Sequence, residues 1–91
     1  MSGNSSEYGA YTRLTATANV SPTNKALIGI LVSNTTAGTI QFYDSSTTST
    51  ATPITGLITP TAGQFIPIRA YALAGIYAVI GGALDVTVIT V

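Results

Sequence analysis

Catalysis and ion binding need side chains that move protons, attack carbon or hold a cation, and this 91-residue sequence offers few of them. It has no histidine and no cysteine. A serine nucleophile needs a neighbouring base. Lys25 could substitute for histidine in that role, yet no sequence feature pairs it with a serine. Asp44 and Asp85 could meet as an acid/base pair. The simpler reading makes Asp44 a turn former at the head of a Ser/Thr stretch, and Asp85 a residue that follows a hairpin turn. Calcium takes several oxygens together, often from closely spaced acids, and Asp44-Ser45-Ser46 supplies one acid. The glycines match no phosphate-binding pattern. Five tyrosines, Tyr8, Tyr11, Tyr43, Tyr71 and Tyr77, could line a sugar-binding face, although half-buried strand tyrosines with a wet hydroxyl are the commoner case. The expectation is a protein that is no enzyme, with no cofactor, no metal site and no small-molecule substrate.

Charge narrows the partners. Glu7, Arg13, Lys25, Asp44, Arg69 and Asp85 make up 7% of the chain and sum to zero. An average domain carries roughly 25% charged residues, and a small soluble one keeps a net charge of about 2–8 in magnitude. Either the many Thr, Ser and Asn groups solvate this domain, or it is a subunit packed against partners. Phosphate recognition needs several Lys or Arg on one face, and three scattered basic residues argue against nucleic acid. The apolar run from Ala70 to Leu84 is too short to span a bilayer and is broken by Gly75, Gly81 and Gly82, so no membrane segment is expected. The start, Met1 to Glu7, lacks the basic and apolar regions of a secretory signal. Without one, the glycosylation triplets Asn4-Ser5-Ser6 and Asn34-Thr35-Thr36 read as chance.

The elements that would position these residues read as strands. Ala26 to Val32 is almost wholly apolar, Ser33 to Gly38 has turn chemistry, and Thr39 to Asp44 nearly alternates, which predicts a central hairpin. In its first strand Ile28, Ile30 and Val32 share one face and Leu27 and Leu31 the other. A strand apolar on both faces is covered twice, by another layer or another subunit. Tyr11 to Val20 alternates, with Thr12, Leu14, Ala16, Ala18 and Val20 on one side. Ser21-Pro22-Thr23-Asn24 breaks that strand, and Asp44 to Thr52 reads as an exposed loop. Pro53 to Pro60 is a proline-bracketed edge strand. Gln64 to Ile68 is another short strand, with Pro67 marking an edge or bulge. Arg69 to Gly75 connects, and Gly81-Gly82 turns between strands Ile76–Ile80 and Ala83–Val91. The predicted fold is all-β, a compact antiparallel β-sandwich or jelly-roll-like barrel of about seven or eight short strands. Residues 1–10 form a flexible N-terminal arm, and residues 11–91 a single β-sandwich domain. Tyr8, Tyr11 and Arg13 are the candidate interface residues where arm and domain meet.

The order of features from Leu27 onward resembles a group of small virion proteins of tailed bacteriophages. An apolar strand precedes a short linker and a segment like Gly38-Thr39-Ile40-Gln41-Phe42-Tyr43-Asp44. A Ser/Thr loop follows, then an apolar strand and a segment like Gly75-Ile76-Tyr77-Ala78-Val79. A glycine turn leads to an ending like Leu84-Asp85-Val86-Thr87-Val88. The resemblance covers about two-thirds of the chain, in short pieces of low complexity, and leaves out the first ten residues. It implies a jelly-roll or related sandwich module that decorates the capsid or belongs to the tail, and it brings no catalytic residues. The expected function is capsid decoration or cement on the virion surface, by adhesion between capsomers. The partners would be the major capsid protein and further copies of the chain as a trimer or dimer. The alternatives are a tail or head–tail connector subunit, or a carbohydrate-binding β-sandwich module.

Overall fold

The computed structural model describes residues 9–91. The candidate Tyr8, and the expected arm up to that residue, lie outside the described residues. Five strands form: β1 (Ala10–Leu14), β2 (Ala18–Ser21), β3 (Lys25–Asp44), β4 (Phe65–Ala72) and β5 (Ile76–Thr90). They make one antiparallel sheet in the order β1-β5-β3-β4, with β2 also paired to β5. No helix occurs among the described residues. The chain is all-β, as the period-two alternation predicts.

The strand count differs from the expected seven or eight, for a reason that also explains the shape. β3 holds 20 residues and β5 holds 15. At about 3.3 Å per residue a straight β3 would span about 66 Å, yet the longest dimension of the molecule is 39 Å. β3 therefore bends. The bend falls where its register against β5 shifts, between Val32 and Asn34 and again between Thr36 and Ala37. Ala37 takes φ 54° there, and Gly82 on β5 takes φ 70°. The backbones press so closely that a Cβ on Gly38 would lie 2.6 Å from the Ala83 carbonyl oxygen.

Ser33–Gly38 and Gly81-Gly82 are thus not hairpin turns. The segments on either side of each do not pair with one another, because both pair with the other long strand. The Tyr11–Val20 strand is interrupted at the same crease. β1 pairs with Val86–Thr90 on one side of it and β2 with Ile76–Ala78 on the other. Pro53–Pro60 lies against β3 through two isolated bridges, Ile40↔Ile58 and Tyr43↔Pro53, and through the Ile54 and Thr55 N–H groups, which donate to the Phe42 carbonyl, without forming a continuous ladder. Its position along an edge is as predicted. Its prolines lack the N–H groups that a full ladder would use.

Folding the sheet at this crease brings both halves around one core. β3 contributes Leu27, Ile30, Val32, Ile40 and Phe42, and β5 contributes Ile76, Ala78, Leu84, Val86 and Val88, closed by Leu14 and Ala72. A bulge sorts the apolar residues of β3. Against β4 the extra residue sits on β4, where Ile68 and Arg69 both oppose Ile28 and Arg69 takes φ 57°. Against β5, Leu27 pairs with Thr90 and Gly29 with Ile89, so β3 itself carries one extra residue there. The extra residue breaks strict alternation. Leu27 joins Ile30 and Val32 in the core, Ile28 does not, and Leu31 faces outward, 43% exposed. The predicted grouping of Ile28 with Ile30 is corrected accordingly.

Candidate interaction surface

The two acids that could have formed a catalytic pair are engaged separately. The Asp44 carboxylate, at the end of β3, accepts hydrogen bonds from the backbone N–H groups of Leu73 (3.0 Å), Ala74 (2.7 Å) and Gly75 (3.3 Å). It thereby ties down the connection from β4 to β5. The Ala74 and Leu73 donors, with help from Gly75, hold its pKa below the ordinary carboxylate value against a smaller opposing effect of burial. Asp85 lies within β5 rather than after a turn. It accepts from Arg13 across the sheet, with Nε to Oδ1 at 2.9 Å and a second bond from Nη2 to Oδ2. That hydrogen bonding lowers the Asp85 pKa and raises that of Arg13. Lys25 stands at the start of β3 opposite Ala72. Among the described residues no three His, Cys, Asp or Glu gather to hold a metal ion, and no helix is long and apolar enough to cross a membrane.

A cleft of about 250 Å³ opens at the crease, lined by Thr15, Asn34, Thr35, Thr36, Ala83, Leu84 and Asp85. It presents hydroxyls and an amide but no aromatic ring. The described tyrosines do not gather around it. Tyr43 and Tyr77 pack together with ring centroids 6.2 Å apart, Tyr71 accepts a hydrogen bond from Asn24, and Tyr11 stands on the far strand, β1.

The register places a different set of residues side by side. Across the outward face of the β1-β5-β3-β4 half, Tyr11, Ile89, Gly29 and Pro67 form one row, and Arg13, Thr87, Leu31 and Phe65 form the next. Tyr71 follows further along β4, opposite Ala26. Tyr11 is 78% exposed, Tyr71 59% and Phe65 47%. Large apolar side chains thus stand in solvent on one face of the sheet. Arg13, one of the few charges beside them, is neutralised by Asp85. Of the sequence-derived interface residues, Tyr11 and Arg13 do share this face. Phe65 and Pro67 were not anticipated as part of it. Their signal was present in Leu31, whose second apolar face required a cover that no described part of the chain provides.

No family model matches the chain, and no curated protein or solved structure matches it either.

Proposed function

We propose that this chain is a virion structural protein of a tailed bacteriophage, a capsid decoration or cement protein acting by adhesion on the capsid surface. Its folded sheet is read as a small jelly-roll-like sandwich. The observation that carries the reading is the outward apolar face, with Tyr11, Leu31, Phe65, Pro67 and Tyr71 uncovered in a chain of zero net charge. Four strands about 4.8 Å apart and about seven residues long present roughly 440 Å². At about 25 cal/mol per Å² of apolar surface its full burial is worth at most roughly 11 kcal/mol, less the share that Arg13 and Thr87 contribute to the face. Association costs about 4–15 kcal/mol, so one face alone makes a weak contact. A symmetric shell suits such a contact, because many copies hold neighbouring capsomers together. The partners in this reading are the major capsid protein and further copies of the chain. It acts without catalysis, cofactor or nucleic acid. A carbohydrate-binding role is less well supported, since the crease cleft lacks a ring for a sugar to stack on.

The test is mass spectrometry and electron microscopy of purified particles. Surface density with on the order of hundreds of copies, following the shell symmetry, is the expected result. A dozen copies or fewer at the portal or tail would move the protein to the connector. Absence from particles would overturn the virion reading. Phe65→Ser and Leu31→Ser should each reduce rebinding to particles stripped of the protein.

A further inference from the structure

We infer that two copies of this chain pair through the free edge of β1, with Ala10–Leu14 running antiparallel to the same segment of the second copy. The inference rests on the homo-oligomer part of the reading above and names the surface that part leaves open. An exposed sheet edge offers unpaired N–H and C=O groups and templates another strand unless something blocks it. Most edges of this sheet are blocked. On β4, Pro67 lacks an N–H and the bulge at Ile68–Arg69 distorts the backbone. The segment beyond the crease on that side forms no continuous ladder and is bracketed by Pro53 and Pro60. β2 has a register shift between Asn19 and Ser21, and Pro22 follows it.

β1 has none of these devices. Its five residues pair with β5 in unbroken register, from Ala10↔Thr90 to Leu14↔Val86. It contains no proline and no residue of positive φ. A charge at an edge repels an incoming strand, but the one charge on β1, Arg13, is tied to Asp85 of its own sheet. Among the described residues nothing pairs with the far side of β1.

The sequence of β1 is complementary to itself. In an antiparallel pair, residues directly opposite share a face. A two-fold axis at Thr12 uses all five residues. Ala10 then lies opposite Leu14 of the copy, Thr12 opposite Thr12, and Tyr11 opposite Arg13. No like charges meet, and the exposed Tyr11 ring gains a guanidinium neighbour. Moving the axis to Arg13 sets Arg13 against Arg13, and moving it to Tyr11 shortens the ladder. The zero net charge raises no long-range barrier to self-association. The joined sheet also sets the two outward apolar faces side by side, roughly doubling about 440 Å² to about 880 Å². That is close to the roughly 800 Å² per partner of a stable interface, so the dimer is the unit suited to adhesion.

The experiment is light scattering on the full chain at micromolar concentration, with Tyr11→Lys and Tyr11→Glu beside it. Position 11 is exposed, so both variants should melt as the parent does. The parent should show twice the 9.2 kDa of the chain. Tyr11→Lys puts a cation opposite Arg13 and should weaken the dimer by about tenfold or more. Tyr11→Glu puts an anion there and should keep or tighten it. A monomeric parent would overturn both this inference and the homo-oligomer reading. A dimer that both variants weaken equally, or that neither changes, would overturn the edge pairing and leave the homo-oligomer reading standing. A trimer would do the same.

Discussion

Leu27 and Ile28 are adjacent apolar residues, and the bulge in β3 decides which of them the core receives. Strict alternation back from Val32 and Ile30 places Ile28 inside and Leu27 outside. The folded chain does the reverse: Leu27 is fully buried in the core cluster, and Ile28 is only partly buried and lies outside it. Leu27→Ala therefore removes a side chain from a close-packed site, at a cost of about 2–5 kcal/mol including the cavity left behind. A domain of this length has about 5–14 kcal/mol of total stability. At about 4–8 °C per kcal/mol, a mid-range loss of about 3 kcal/mol lowers the melting temperature by about 12–24 °C. Ile28→Ala removes a partly exposed side chain and should cost less than about 1.5 kcal/mol, a shift below about 12 °C. Paired thermal melts and urea titrations, followed by far-UV circular dichroism, measure both. If Ile28→Ala proves the more destabilising, β3 alternates strictly and the bulge argument is refuted. If both substitutions are nearly silent, neither residue belongs to the core.

Other consequences can be measured in the same way. Ile30→Asp should prevent folding, because an unpaired charge at this fully buried position costs several kcal/mol; a soluble variant with an unchanged melt would contradict the placement of β3. Gly38→Val should lower the urea midpoint by the equivalent of about 1–3 kcal/mol, since its Cβ would press on Ala83 and Leu84 at the crease; an unchanged midpoint would mean the strands do not meet so closely there. Acid should destabilise the protein with a definite sign. The Asp44 and Asp85 pKa values are lowered from 3.8 in the folded state, so their contribution is present above that value and is lost as pH falls through the folded pKa. Asp44→Asn should flatten that acid limb, and a variant with the same acid limb as the parent would show that the Leu73–Gly75 contacts do not carry it. Leu31→Ser and Phe65→Ser, outward substitutions, should leave the melt nearly unchanged, and a large drop in either would place that side chain in the core.

Much of the fold was legible along the chain. Alternation in Tyr11–Val20 and Thr39–Tyr43 specifies strands, because side chains on a pleated backbone point to opposite faces at every step. The inward positions Leu14, Ile40 and Phe42 follow from that period alone and are buried, whereas Ile30 and Val32, also buried, lie in a stretch apolar on both faces, where the period does not name the inner side. Pro53 and Pro67 announce edges because a proline has no N–H to give a neighbour. What each glycine-rich break does is another matter. Gly81-Gly82 and Ser33–Gly38 permit either a reversal or a bend, and local propensity is the same for both. The outcome depends on the partner that the flanking strands find, and β3 and β5 find each other along nearly their whole length. The bulge that exchanges Leu27 for Ile28 likewise arises from register against β5, a strand far away in sequence. Arg13 meets Asp85 across 72 residues, and Asp44 meets the N–H of Ala74 across 30. The outward row Arg13, Thr87, Leu31 and Phe65 draws one residue from each of four strands. Residue type made each of them available for such a surface. Only strand order and register, set by the burial of the opposite face, placed them next to one another.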